Sequence, residues 1–370
     1  MAIGDIIVGI DIGTSKVSTV VGEVNNFKQI EIICNTCCRC NGMAKGQIID
    51  GDAISIAISK TIREAEEIAN FKISSAYITI PGKYTTIVQN SVVKETKDRF
   101  DGISYKDVVS ALSSVKEIEM PDDEVLIDII PDKFILEDGK TVEDPVGSYC
   151  SSFTLMAQLI LADKDYIKKI TNICRRAGIE IDGIVPITLA ERNLVLDGSE
   201  MNDNVMILDI GAGNTEIGIF KGNSFIFNDT LPLGGDNITS DIAYVLNISK
   251  EEADKLKRQY GLALKSFIDN DNDIILNTCK DNNKNKMTGE GITNINKCDM
   301  AGKIILNIPV KISNARLITT IKPVYRTSYA LVRYVSSRAF TKKVSSTIDA
   351  KSEKSILKNV LEKVRDFFYS

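Results

Sequence analysis

The chain has 370 residues, 44% of them hydrophobic and 26% charged, with a formal net charge of −5. That length and apolar content fit two or three domains, and the acidic balance offers no basic field to draw nucleic acid. Histidine and tryptophan are absent, which excludes Ser-His-Asp and Cys-His catalysis, imidazole metal sites and the strongest stacking platform for single-stranded bases. No run approaches the ~18 apolar residues of a membrane span, and no basic segment followed by an apolar run opens the chain. The expectation is a cytosolic protein whose eight cysteines are mostly reduced.

The apolar run Ile6 to Ile12 reads as a buried strand, Gly13-Thr14-Ser15-Lys16 as a turn, and Val17 to Val24 as the returning strand. Glu31 to Cys37 reads as a third strand and Gly42 to Gly51 as a turn-rich connection. Ile54, Ile58, Ile62 and Ala65 recur at helical spacing, which predicts a helix over 52–70 with Asp52 as its N-cap. Ser75 to Ile80 is a strand ending at Pro81-Gly82. A compact α+β segment follows, with a helix capped by Ser104 and strands at Glu124 to Pro131 and Phe153 to Leu161. A helix from Asp163 to Ala177 ends at Gly178, and another runs from Thr188 to Leu196.

Val205 to Glu216 repeats the design of the first hairpin: an apolar run ending in Asp209, then Ile210-Gly211-Ala212-Gly213-Asn214-Thr215. Residues 223–233 read as a strand pair, 238–246 as a helix opened by Gly234-Gly235, and 250–259 as a helix capped by Ser249. The polar stretch 268–287 reads as loop or locally disordered. Met287 to Ile292 is a glycine turn, followed by a helix and the strand Ile308 to Ile312. After about Arg333 the tail is Ser/Lys-rich until a last helix, 352–369.

Glycine turns of this kind expose backbone N–H groups, and concave N–H arrays bind phosphate. An Asp at the end of each buried strand suits a Mg²⁺ ion held through water. A single such loop is an ordinary hairpin turn; two in one chain point to duplicated halves closing on one triphosphate. There is no short-period repeat.

The paired Asp-Ile-Gly loops, the turn Gly234-Gly235-Asp236-Asn237-Ile238-Thr239 and the late turn Thr288-Gly289-Glu290-Gly291 resemble the actin/sugar-kinase/heat-shock-chaperone ATPase superfamily. Within it, five segments are similar to the FtsA family of bacterial cell-division proteins: Gly46-Gln47-Ile48-Ile49-Asp50, Ile80-Pro81-Gly82, Ile129-Ile130-Pro131, Asp144-Pro145-Val146-Gly147 and Pro232 to Ala243. The resemblance covers nearly the whole chain. It implies an α/β, actin-like (ribonuclease H-like) duplicated fold, two lobes around a nucleotide cleft, with an inserted α+β 1C (SHS2-type) domain. The implied division is subdomain 1A at 1–82, the insert at 83–162, the rest of 1A and a connecting helix at 163–200, and subdomain 2A at 201–247. A shortened 2B at 248–286, the rest of 2A and the return to 1A at 287–332, a linker at 333–351 and an amphipathic membrane helix at 352–370 complete it. The family usually carries more helix and strand where this chain has about 30 mostly polar residues between Lys257 and Met287.

The resemblance also implies a function: ATP-dependent polymerisation, binding of the FtsZ C-terminal tail, and anchoring of the division ring to the cytoplasmic membrane. Other division proteins are expected to dock on the 1C-like domain, and any catalysis is at most a weak ATPase. Gly13, Thr14, Ser15 and Lys16 form the first phosphate loop, and Gly211, Ala212, Gly213, Asn214 and Thr215 the second. Asp11 and Asp209 are the candidates for water-mediated Mg²⁺ contacts, and the two loops with the ion stabilise a transferred phosphoryl. Glu191, on the connecting helix, is the candidate to position water. Gly234 and Gly235 permit close approach to ribose or phosphate. Asp254 and Lys257 read either as an adenosine-contacting acid and base or as a surface i,i+3 ion pair. Gly289, Glu290 and Gly291 form the adenosine-side turn. Ala212 stands where the family more usually has Gly, which a loop with negative φ tolerates.

Cys34, Cys37, Cys38 and Cys40 lie on one strand, where alternate side chains face opposite ways; they read as small hydrophobes and exposed thiols rather than zinc ligands. Ile356, Leu357, Val360, Leu361, Val364, Phe367 and Phe368 form one apolar stripe with lysines around it, the pattern of an interfacial helix on anionic membrane. Two further readings stay open: a pilus-assembly-type actin homologue, and a sugar- or acyl-kinase-like phosphotransferase.

Overall fold

The computed structural model describes residues 4–27, 29–96, 102–264, 284–288, 291–292, 295–313 and 322–343. Its first sheet starts with an antiparallel meander, β1 (Ile6–Ile12), β2 (Lys16–Val24) and β3 (Ile30–Arg39). A two-stranded ribbon, β4 (Met43–Ala44) and β5 (Gln47–Ile48), leads to helix α1 (Gly51–Ala69). α1 crosses to β6 (Ser75–Ile80), which lies parallel to β1. Parallel neighbours need such a crossover because a tight turn cannot reverse the chain twice.

An insertion follows, built on an antiparallel sheet of β7 (Thr85–Glu95), β8 (Glu124–Leu136), β9 (Thr141–Val142) and β10 (Ser152–Asp163) in the order β7-β10-β8-β9, with helix α2 (Tyr105–Val115) beside it. Helix α3 (Lys164–Arg176) returns the chain to the first sheet, where β11 (Glu180–Pro186) pairs parallel with β6. The order is therefore β3-β2-β1-β6-β11. After helix α4 (Ile187–Val195), a second sheet forms from β12 (Asn204–Ile210), β13 (Thr215–Lys221), β14 (Ser224–Leu231), β15 (Lys284–Thr288) and β16 (Val310–Ile312). Its order is β14-β13-β12-β15-β16, the first sheet's order repeated strand for strand. Helices α5 (Gly235–Leu246), α6 (Lys250–Tyr260) and α7 (Cys298–Leu306) belong to this lobe. Helix α8 (Arg326–Lys343) comes back to the first.

Three buried clusters hold these layers. Ile54, Ile58 and Ile62 of α1 pack with Ile10, Ile12 and Ile78 of the first sheet, and each such buried isoleucine contributes roughly 1.5–3 kcal/mol by leaving water. On the other face, Ile7 and Val20 meet Leu331 and Val332 of α8, Leu189 of α4 and Val205 and Phe220 of the second sheet. α4 and α8 thus form a layer shared by both lobes. Glycines make that layer thin. A Cβ on Gly9 would lie 2.7 Å from Val332 Cγ2, and one on Gly218 only 2.4 Å from Thr188 Oγ1. The insertion has its own core around Phe134, Phe153, Leu155 and Leu159.

Several expectations need correction. The N-cap of α1 is Asp50, whose Oδ1 accepts from the N–H groups of Asp52 and Ala53; Asp52 sits in the first turn and pairs with Arg176. Residues 224–231 form one strand, because β13 is its hairpin partner. Lys284 to Thr288 is a strand, made by pairing between β12 and β16. Residues 333–343 continue α8 rather than forming a linker, since Tyr334 and Val335 are buried in the core shared by the lobes. The reading of the cysteines needs none: Cys34 and Cys40 are buried and Cys37 is exposed. The remaining polar stretch 268–283, Gly289, Glu290 and the helix over 352–369 lie outside the described residues.

Candidate functional site

Each meander begins with the same turn. Gly13 N–H donates to Lys16 O at 2.9 Å, and Gly211 N–H donates to Asn214 O at the same distance. The turns face each other, and Thr14 Oγ1 donates to Asn214 Oδ1 at 3.1 Å across 200 residues of sequence. Gly213 packs against Thr14, where a Cβ would fall 2.6 Å from its methyl. Between the turns lies a cleft of about 1000 Å³, including its open mouth.

Backbones converge on the second turn. Gly235 N–H donates to Gly211 O at 2.9 Å, Asp236 N–H to Ala212 O at 2.7 Å and Gly291 N–H to Ile210 O at 2.7 Å. A Cβ on Gly291 would lie 2.1 Å from Gly211 O, and one on Gly234 2.4 Å from Ala212 O. None of these glycines has a positive φ, and neither does Ala212. They are glycine because another backbone occupies the space, and α5 therefore begins directly against the turn.

Asp11 is next to last in β1, is 8% exposed, and accepts from Thr79 Oγ1 at 2.8 Å. Asp209 stands at the matching place in β12 and also faces the cleft. The cleft is lined by Asp11, Gly13, Thr14, Ser15 and Lys16 from one side, and by Asp209, Gly211, Ala212, Asn214, Gly235 and Gly291 from the other. Asp254 and Lys257 line it too. They are an i,i+3 ion pair at 3.0 Å, but Lys257 is buried and does more. Its Nζ donates to Gly235 O at 3.0 Å and to Thr239 Oγ1 at 2.7 Å, fastening α6 to the start of α5. Burial would raise the Asp254 carboxyl, yet hydrogen bonds and charge from Arg258 and Lys257 hold it below its ordinary range.

Four other candidates stand apart from the lining. Gly213 and Gly234 serve packing, as described. Thr215 Oγ1 turns to Leu233 O at 2.8 Å. Glu191 is fully buried, accepts from Thr327 Oγ1 at 3.1 Å, and its Oε2 has no hydrogen-bond partner among the described residues. Burial above all, then the charge of Asp209, pushes Glu191 well above the ordinary carboxylate range, while Arg326 and Thr327 pull it down. Among the described residues no group of three or more Cys, Asp or Glu is placed to cage a metal ion.

Sequence reasoning missed two participants. Glu216, opposite Asp209 in the hairpin register, accepts from Gly82 N–H and Thr230 Oγ1 at 2.8 Å each and from Asn214 Nδ2 at 2.5 Å. Through it, the second turn is joined to the segment that enters the insertion. Its acidic residue after the second turn was a visible signal, but its partner Gly82 is 134 residues away. Arg326 also lines the cleft and donates to Thr288 Oγ1. A single arginine at a helix start carries no motif.

Two lobes with one repeated strand order, paired turns and a cleft between them define an actin-like ATPase fold. Two solved structures share it at low identity. The PilM-PilN type IV pilus biogenesis complex has a TM-score of 0.56 and 17% identity, covering 90% of this chain and 98% of that one. The ethanolamine utilization protein EutJ from Carboxydothermus hydrogenoformans has a TM-score of 0.50 and 14% identity, covering 89% and 90%.

The family signal is more specific. The family described as cell division protein FtsA matches residues 206–368, and the SHS2 domain inserted in FtsA matches residues 82–161. FtsA of Buchnera aphidicola subsp. Baizongia pistaciae is 30% identical over 287 residues, 75% of this chain and 67% of that protein. FtsA of Bacillus subtilis is 29% identical over 291 residues (79% and 66%), and that of Escherichia coli K12 28% over 269 residues (73% and 64%). The chain belongs to the FtsA family of cell-division proteins. It spans slightly under two thirds of the length of the B. subtilis and E. coli relatives.

Proposed function

We propose that this chain binds ATP with Mg²⁺ in the cleft, self-associates, and tethers FtsZ filaments to the cytoplasmic membrane at the division septum. The single observation that carries the nucleotide reading is the Thr14–Asn214 contact, which brings two glycine turns of one design onto a common space. Concave N–H arrays at such turns favour phosphate, and Lys16 adds a cation on the first. The residues present fit a divalent ion held through its waters. Asp11 and Asp209 face the cleft, and nearby Glu191 is disfavoured as an anion by both of them. The ion, when bound, would offset phosphate charge. Asp11 and Asp209 would orient its waters, Gly235 and Gly291 would admit the nucleoside closely, and Lys257 would keep Gly235 in place.

Membrane attachment rests on residues 352–370, whose apolar stripe and lysines suit an anionic surface. Each basic residue near such a surface adds ~1 kcal/mol. A polymer presenting many of these helices gains avidity, so assembly and attachment would reinforce each other. The FtsZ C-terminal tail and other division proteins, the latter through the insertion, are the partners proposed on family membership. No helix among the described residues is long and apolar enough to cross a membrane.

Calorimetry with Mg²⁺-ATP on the intact chain and on Asp209→Ala tests the site. Binding by the intact chain that the variant loses supports it; no binding by a folded intact chain sinks it. Liposome flotation with and without residues 352–370 tests the anchor separately, and binding that survives the deletion removes the tail from the scheme.

A further inference from the structure

Arg326 begins α8 in the first lobe, yet its Nη1 donates to the hydroxyl of Thr288, the last residue of β15 in the second. Thr288 is the register partner of Asp209. Arg326 therefore reaches across the base of the cleft into the corner where Asp11 and Asp209 lie, and it lines the cleft with them. The neighbouring Thr327 donates to Glu191, so three carboxyl groups crowd this corner. The guanidinium is close enough to Glu191 to oppose the burial and the Asp209 charge that drive its carboxyl upward.

A guanidinium is always charged and offers five donors in a planar fork. One donor held by Thr288 fixes the plane and leaves the others for a second acceptor. Charge-assisted bonds from such a fork to phosphate oxygens are short and strong. A divalent ion at this corner would offset the same carboxyl and phosphate charge.

We propose that Arg326 is a phosphate-contacting cation of this cleft: held by Thr288, it meets a terminal phosphate oxygen of the nucleotide and offsets Asp11 and Asp209, so that binding persists without a divalent ion. This rests on the nucleotide reading above and adds to it a named residue and a reduced metal requirement.

The test is calorimetry of ATP with the full chain in EDTA and in Mg²⁺, for the wild type, Arg326→Gln and Arg326→Lys. The wild type should bind ATP in EDTA within about tenfold of its affinity in Mg²⁺, and Arg326→Gln should weaken the EDTA value at least about thirtyfold but the Mg²⁺ value less than about fivefold. Arg326→Lys, which keeps the charge and loses the fork, should fall between. Wild-type binding that disappears in EDTA, or an Arg326→Gln variant that weakens both conditions equally or neither, overturns the proposal while leaving the cleft a Mg²⁺-ATP site. No binding by the wild type in either buffer overturns the nucleotide reading itself. If circular dichroism shows Arg326→Gln unfolded, Arg326→Lys decides: an affinity in EDTA equal to that of the wild type overturns the proposal.

Discussion

The side-chain amide of Gln158 closes on the backbone of one residue, Phe225: its Nε2 donates to the Phe225 carbonyl at 2.7 Å, and the Phe225 N–H donates to its Oε1 at 2.8 Å. Gln158 belongs to the insertion and Phe225 to the edge strand of the second sheet. Ser224 with Asp132 and Asn228 with Thr85 extend the seam at 2.7 and 2.8 Å. The insertion is thus bonded to the lobe that carries the second turn, although its chain enters and leaves through the first.

Gln158→Leu keeps the volume and removes both bonds, leaving a buried N–H and a buried carbonyl without partners. Each unsatisfied group costs about 1–3 kcal/mol, so the urea-unfolding free energy should fall by about 2–6 kcal/mol. A loss below about 0.5 kcal/mol would mean the seam is not made in solution.

Glu216 carries a pH signature. Burial pushes its carboxyl up to about 7, against hydrogen bonds from Gly82, Thr230 and Asn214 that pull the other way. A carboxyl raised on folding holds its proton more tightly in the folded chain. The stability it contributes is therefore fully present below about pH 4.5 and falls by about 3 kcal/mol as pH rises through 7. Glu191 is shifted in the same direction and adds to the slope. Glu216→Gln removes the titrating group and keeps the bonds from Gly82 and Thr230; rotation of the Asn214 amide accommodates the new NH₂. Urea unfolding from pH 4.5 to 7.5 should give a shallower slope in the variant than in the wild type. Parallel slopes would show that Glu216 is not buried as described.

Gly291→Ala should be severe and Gly198→Ala harmless. The first places a Cβ 2.1 Å from Gly211 O, while nothing lies within 4 Å of the second. Overpacking of this kind costs about 3 kcal/mol, whereas a surface change stays within about 0.5 kcal/mol. Thermal unfolding of the two variants side by side separates steric packing at the turn from any general effect of losing a glycine.

Lys257→Met retains length and removes the ammonium that joins Gly235, Thr239 and Asp254. The expected loss is about 1–3 kcal/mol, together with weaker ATP binding because α5 no longer starts where the second turn needs it. A variant that loses stability but binds ATP at wild-type affinity would confine Lys257 to a structural part.

Both glycine turns, most strands and most helices were legible, because hydrophobic period and turn chemistry are local. What escaped was set by distant neighbours. Lys284-Asn285-Lys286-Met287-Thr288 has no strand-like alternation of its own and becomes one by pairing with β12 and β16. The Ser-rich stretch after Arg333 stays helical because Tyr334 and Val335 reach the shared core. Glu216 and Arg326 gain their places from Gly82 and Thr288, which no local pattern connects to them.

The two sheets repeat one order, but their matching edge strands differ in length: β11 has 7 residues and β16 only 3. Fewer ladder bonds guard that side of the second lobe, so its backbone amides should exchange with deuterium through partial openings that leave the first lobe intact. A ligand held by both turns must be released before such an opening. It would then suppress exchange, and proteolysis at the same place, in proportion to its concentration. The shortness of one three-residue strand would thereby tie the survival of this protein in the cell to the supply of the nucleotide it is proposed to bind.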